Sequence, residues 1–287
     1  MDLLKKIQKV CIASSFLCVV QVHAGTTTWE WDLAPGSAGN SVITCTNNCP
    51  TSSFNVTDTN GSESVTAGFT AWSDNNETGG TGLNPDGNAD PYITGGSMYY
   101  WGDNNGWGMV NNDETGGSPE HAFDNQGNSI DYDMVLVSFD SSVELTGINF
   151  GWVSDGDFTL LAYDGASNTS PILNNTTWAS IAGSGDWLTV GQYNGGPTDT
   201  YYSVNTGPTA VSSQYWLIGA YNSVFGTPTD GRVDANDDAF KIRKITGKTT
   251  TAPKPPTEVS APGTIGVFLL SSLFIVQRRR NKTSTKA

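Results

Sequence analysis

Three short strings of this chain place oxygen ligands at alternate positions. They are Asp86, Asn88 and Asp90, then Asp234, Asn236 and Asp238, and more weakly Asp155 and Asp157 around Gly156. Such spacing is the start of a calcium-loop pattern. The EF-hand form would continue with Gly at the sixth loop position and Glu at the twelfth, where this chain has Pro91 and Ser97 in the first string and Ala239 and Ile245 in the second. Two readings follow, a structural calcium or plain Asx turns in a chain rich in Asp and Asn. No other cofactor is expected.

Cys45 and Cys49 are the second candidate pair. In an oxidising compartment they can form a disulfide, whose short ring restricts the unfolded chain little and contributes at most about 2 kcal/mol. Half a zinc site is the alternative, but it needs two more ligands, and His121 is the only histidine after His23. All nine tryptophans lie between Trp29 and Trp216. Most suit burial, Trp29, Trp31, Trp152 and Trp216 among them, whereas Trp101 and Trp107 bracket a Gly/Asn/Asp loop and could stack on sugar rings. For catalysis the signals are thin. A Ser/His/Asp device would have to use His121, and no nucleophile-elbow motif is present. Carboxylate pairs such as Asp131 with Asp133, or Asp155 with Asp157, could serve a glycosidase, but in so acidic a chain closeness in sequence says little.

The elements that must position these residues are strands. Period-two alternation recurs at Trp29, Trp31 and Leu33 and at Val65, Ala67, Phe69 and Ala71. Further β-rich runs are Met134 to Phe139, Gly147 to Val153, Phe158 to Tyr163, Trp187 to Tyr193, Tyr201 to Val204 and Tyr215 to Tyr221. Phe240 and Ile242 should point inward, with Lys241 and Arg243 outward. From about Ser73 to Asn128, dense Gly, Asn and Asp predict long loops with short strands. The fold class expected is all-β, a β-sandwich of jelly-roll-like form spanning 25–247. A stiff Pro/Thr linker is expected at 248–257.

The ends read as addresses. Lys5, Lys6 and Lys9 precede the apolar run Val10 to Val20, and Val22-His23-Ala24 offers a cleavage site, so 1–24 is expected to be a secretory signal helix. At the other end, 258–287 holds Val259-Ser260-Ala261-Pro262-Gly263, an apolar stretch from Ala261 to Val276, and Arg278-Arg279-Arg280. Those 16 apolar residues would form a helix of about 24 Å, just under the ~20 residues a membrane span needs, and crossing would require the flanks. The three arginines would stay cytoplasmic, leaving the body outside.

This order of short Pro-containing motif, transmembrane helix and basic cluster resembles the tripartite sorting signals that exosortases read in Gram-negative bacteria, known from PEP-CTERM proteins. Here Val259-Ser260-Ala261-Pro262-Gly263 replaces Pro-Glu-Pro, which makes the tail similar to a variant class. The blocks His121-Ala122-Phe123-Asp124-Asn125, Asp133 to Asp140 and Leu145 to Trp152 also resemble recurring blocks of such surface proteins. The resemblance implies processing by an exosortase, an inner-membrane intermediate held by the C-terminal helix, then the cell surface or extracellular matrix, and association with exopolysaccharide. An ordinary permanent anchor is the competing reading of the tail.

Composition bounds the partners. The chain has 28 Asp and Glu against 14 Lys and Arg, and no Lys or Arg occurs between Val10 and Gly231. Nucleic acid is disfavoured as a partner, as is an anionic membrane surface. The sequence therefore points to a non-catalytic surface or exopolysaccharide-associated protein, with a carbohydrate-binding module using exposed aromatics as the second reading and a secreted hydrolase as the third.

Overall fold

The computed structural model describes residues 24–42, 44–74, 92–111, 114, 121–126, 131–165, 170–228, 231–234 and 237–251. Chain contacts define one unit from Thr26 to Thr249 and a second formed by Met1–Gly25 and Thr250–Ala287. Of the second unit, only Ala24, Gly25, Thr250 and Thr251 are described. The expected signal helix, the apolar segment 261–276 and the sorting residues Val259 to Gly263 and Arg278 to Arg280 lie outside the described residues. Among the described residues no helix is long and apolar enough to cross a membrane.

The larger unit is all-β and its strand pairings are antiparallel. In chain order the strands are β1 (Gly25–Asp32), β2 (Cys49–Thr51), β3 (Ser53–Asn60), β4 (Glu63–Ser73), β5 (Thr94–Gly95), β6 (Ser97–Tyr100), β7 (Trp107–Val110) and β8 (Phe123–Asp124). They continue with β9 (Asp133–Asp155), β10 (Phe158–Tyr163), β11 (Trp187–Tyr193), β12 (Tyr201–Ser203), β13 (Ser213–Ala220) and β14 (Ala239–Thr251). One short helix, α1 (Trp178–Gly183), is capped by Thr177, whose hydroxyl accepts the Ser180 N–H at 3.0 Å.

The sheet is organised by β9, which runs as one strand through two expected segments. Its first half pairs with β4 (Phe69 opposite Val137) and β13 (Trp216 opposite Val137). Its second half pairs with β12 (Ile148 opposite Tyr202) and β14 (Ile245 opposite Ile148). The polar Asp140, Ser141 and Ser142 mark the change of partners. One layer thus carries β3, β4, β13, β10 and β11 with the first half of β9, and the other carries β12, β14, β7, β6 and β2 with the second half. The arrangement is sandwich-like.

Side-chain alternation decides what lies between the layers. Val135, Val137 and Phe139 of β9, Trp216 and Ile218 of β13, and Phe158 and Leu160 of β10 join Trp31, Phe54, Phe69 and Trp107 in the main core. The intervening Met134, Leu136, Leu161 and Leu217 face the other way, into a second cluster closed by Leu173, Trp178, Ile181 and Phe225. These central strands are covered on both faces. That is why Met134 to Val137 and Trp216 to Ile218 read as unbroken apolar runs, whereas β4 alternates.

Two expectations need correction here. Lys241 does not point outward: it is buried, 1 % exposed. The β14 ladder on β9 shifts register between Phe240 and Ile242 and again between Ile242 and Lys244, so simple alternation fails at this end of the strand. The Pro/Thr linker also cannot begin at 248, because β14 extends to Thr251 and Lys248 pairs Glu144 both in the ladder and through a 2.7 Å ion pair.

Cys45 and Cys49 are bridged, with a Cα separation of 6.2 Å. The ring holds Asn48 at φ 59°, from which its N–H donates to the Tyr100 carbonyl. Because the bridge closes so short a loop while Trp216 sits at the centre of the core, their removal should cost differently. Urea denaturation is expected to show Trp216→Ala losing about 3–5 kcal/mol, and the Cys45→Ser/Cys49→Ser pair about 2 kcal/mol or less. The reverse order would contradict this account of the core.

Candidate functional site

The chemistry-bearing residues gather where strands end. Asp155 is the last residue of β9, Asp157 precedes β10, and Asp234, Asp237 and Asp238 lie in the approach to β14. Their placement follows from the aromatic residues beside them. Phe158 follows Asp157, Phe240 follows Ala239, and Phe123 of β8 precedes Asp124. Phe240 and Phe158 meet Phe150 of β9 edge-on, at 4.9 Å and 5.4 Å, and Phe123 lies tilted against Phe240 at 5.9 Å. Burying the rings brings the adjoining acids to one place.

One carboxylate oxygen from each of Asp155, Asp157 and Asp238 lies within 4.8 Å of the other two, and the same holds for Asp155, Asp234 and Asp237. Asp155 is common to both triads. Asp157 and Asp238 are fully buried, while Asp234 and Asp237 are exposed, so the cluster has a dry wall and an open side. The buried pair is held firmly. Asp157 accepts the Asn194 amide and the Asp234 N–H, both at 2.9 Å, and its backbone carbonyl accepts the Tyr221 N–H at 3.1 Å. Asn125 clamps Asp238: its side-chain oxygen accepts the Asp238 N–H at 3.0 Å, and its amide donates to Asp238 Oδ2 and to the Tyr221 carbonyl. Asp238 Oδ1 is buried without a hydrogen-bond partner.

Burial is the chief influence on these acids, and the neighbouring carboxylates add to it. Asp238 is pushed up to about 8, with Asn125 opposing and Asp157, Asp155 and Asp237 assisting. Asp157 is pushed up to about 6, also by burial first. The exposed Asp237 is raised as well, by slight desolvation and by the charges of Asp234 and Asp155. An all-oxygen donor set of this kind suits a hard divalent cation and offers nothing to soft metals. A cation of +2 would replace the bound protons and supply the partner that Asp238 Oδ1 lacks.

The second loop string was therefore partly legible. Asp234 and Asp238 do join an acid cluster, but in separate triads, Asp238 with Asp155 and Asp157 and Asp234 with Asp155 and Asp237, rather than as successive positions of one loop; Asn236 lies outside the described residues. Asp237 stood outside the expected set, and the weaker Asp155-Gly156-Asp157 string was the signal that could have located the other half of the cluster. Asp86, Asn88 and Asp90 lie outside the described residues.

The tryptophan platform requires correction. Trp107 is 1 % exposed, donates its indole N–H to the Leu33 carbonyl at 2.6 Å and stacks on Phe54 at 4.3 Å. It is core, because β7 pairs with β6 and β14 and turns this ring inward. Trp101 is half-buried, stacked on Tyr99 at 5.2 Å and lying 3.9 Å from the His121 ring. The pair is not a shared exposed face. Instead Trp101 and Trp152 shelter Lys241, whose ammonium lies 6.0 Å and 4.2 Å from their ring centres. Burial pulls Lys241 down to about 7, and the charge of Asp124 works against that fall. Gly151 permits this crowding, since a Cβ there would collide with the Asn105 carbonyl of the turn between the two tryptophans.

A separate cleft of about 400 Å³ is lined by Asp74, Tyr132, Thr177, Trp178 and Asn222. The Asp74 carboxylate accepts the Tyr132 N–H at 2.7 Å, and burial pushes Asp74 up to about 7. Its lining combines aromatic edges with an acid and an amide.

The acid cluster predicts a sign for the pH dependence. In the folded chain Asp238 keeps its proton up to about 8, whereas the unfolded chain loses it near 3.8. Without divalent cations the folded state therefore binds more protons across this window, and stability should fall as pH rises from about 4 to about 8. Thermal melting in EDTA should show that slope, Asp238→Asn should flatten it, and millimolar calcium should raise the melting temperature most at the alkaline end. A melting temperature indifferent to EDTA and calcium would rule out the cation. Comparison with known proteins finds no matching family model, no similar curated protein and no similar solved structure.

Proposed function

We propose that this chain is an exported, non-catalytic protein of the bacterial cell surface or exopolysaccharide matrix, a jelly-roll-type β-sandwich tightened by calcium and processed at its C-terminus by an exosortase. The observation that carries the reading is the order of the tail: Val259-Ser260-Ala261-Pro262-Gly263, the apolar stretch to Val276, then Arg278-Arg279-Arg280. The signal-like segment 1–24 agrees with export from a Gram-negative cytoplasm, and the C-terminal helix would hold the inner-membrane intermediate. Three features of the body support an extracytoplasmic setting. The Cys45–Cys49 bridge suits an oxidising compartment, the Asp155 cluster suits a medium rich in divalent cations, and β14 ends at Thr251, directly before Pro253, Pro255 and Pro256. A proline-rich stretch there would hold the domain off the envelope.

A carbohydrate-binding role is the second reading, and the cleft of Asp74, Tyr132, Trp178 and Asn222 favours it over the Trp101 and Trp107 loop. Binding to a glycan array that survives Trp101→Ala and disappears in Tyr132→Ala is the result expected of that role.

The sorting reading makes a direct prediction about the native protein. Mass spectrometry of the mature chain from its own host should find a C-terminus upstream of Arg278. A peptide running intact through Arg280 would mean a permanent anchor and defeat the exosortase assignment.

A further inference from the structure

A second group of acids lies near the same end of the sheet and is independent of the sorting reading. Glu114 follows β7, Asp124 belongs to β8, and Asp133 opens β9. One carboxylate oxygen of each lies within 4.8 Å of the other two. Asp133 is 1 % exposed, and neither of its oxygens has a hydrogen-bond partner. Its backbone cannot retreat, because it is locked into the β4 ladder opposite Ser73 and followed by Met134 opposite Gly219.

The neighbours of this group hold its ligands in place. Asn111 closes a reciprocal clamp on Glu114: the Asn111 N–H donates to Glu114 Oε2 at 2.7 Å, and the Glu114 N–H donates to Asn111 Oδ1 at 3.2 Å. The Asn111 amide also donates to Asp131 at 2.6 Å and to the Ser73 hydroxyl at 3.3 Å. Burial raises Asp133 well above the ordinary carboxylate range, the charges of Glu114, Asp124 and Asp131 raise it further, and the Ser73 hydroxyl, close by but outside hydrogen-bonding geometry, only partly opposes them. Lys241, sheltered by Trp152 and Trp101, is the cation that feels Asp124. With Asp131 the group counts four acids against one amine, an excess of acid that a divalent cation would offset.

We propose that Glu114, Asp124 and Asp133 form a second divalent-cation site, suited to Ca²⁺ over Mg²⁺, and joined to the Asp155 cluster through the Asp124–Asn125 dipeptide. The preference follows from burial. Mg²⁺ keeps several of its waters, whereas Ca²⁺ accepts a shell of protein oxygens drawn from separate elements. The dipeptide serves both places, since Asp124 contributes a ligand to this site while Asn125 clamps Asp238 in the other.

Calcium titration calorimetry on the purified full-length chain, freed of metal by chelation, tests this. Wild type should bind at two classes of site. Asp133→Asn should lose one, Asp157→Asn the other, and Glu114→Gln should keep both while weakening one on the order of tenfold. Melting separates a ligand from a merely structural acid: in EDTA Asp133→Asn should melt above wild type, because the cost of burying an acid has been removed, and in calcium below it. A single site lost in Asp157→Asn and unchanged in Asp133→Asn would overturn the proposal. So would Asp133→Asn melting below wild type in both conditions. Loss in Asp133→Asn alone would sustain the second site and remove the first.

Discussion

The ring cluster of Phe123, Phe150, Phe158 and Phe240 is the interaction on which the acidic end of this domain depends. Each ring belongs to a different strand, and three of the rings have an acid within two residues: Asp124 beside Phe123, Asp157 just before β10 and Phe158, and Asp238 just before β14, two residues ahead of Phe240. Burying the aromatics is favourable by itself. Bringing the carboxylates together is not, because like charges repel and their desolvation is costly. The core thus forces together groups that would otherwise separate.

What makes this tolerable is the polar framework around the acids. Asn125 binds Asp238 at both backbone and side chain, Asn194 and the Asp234 N–H cover Asp157, and Asn111 holds Glu114. Lys241, enclosed by Trp101 and Trp152, is a positive charge placed inside the same end of the sheet. Further along β14, Lys244 meets Glu30 and Asp32 at 3.1 Å, and Lys248 meets Glu144 at 2.7 Å. These ion pairs are more exposed and contribute little individually.

Much of the β architecture was legible in the chain. The alternation of Val65, Ala67, Phe69 and Ala71 became β4 with those four side chains buried, and Trp29, Trp31 and Leu33 entered the core as their spacing implied. The failures have local causes. Met134 to Phe139 and Gly147 to Val153 became one strand because the polar residues between them change partners without breaking the backbone ladder. Lys241 turned inward where register shifts interrupt alternation. Trp107 turned inward because pairing, which a Gly-rich neighbourhood does not reveal, placed it against Phe54 and Tyr100.

By itself the sequence determined what is local or compositional: strands from period-two patterning, a disulfide from two cysteines, and an acidic body without cations across most of its length. Only tertiary structure decided which acids meet. Asp155 and Asp157 are near neighbours in the chain, but Asp238 reaches them from about eighty residues away, and Glu114, Asp124 and Asp133 converge from three elements. Strand pairing and ring packing set those distances, and both depend on long-range register that no single segment encodes.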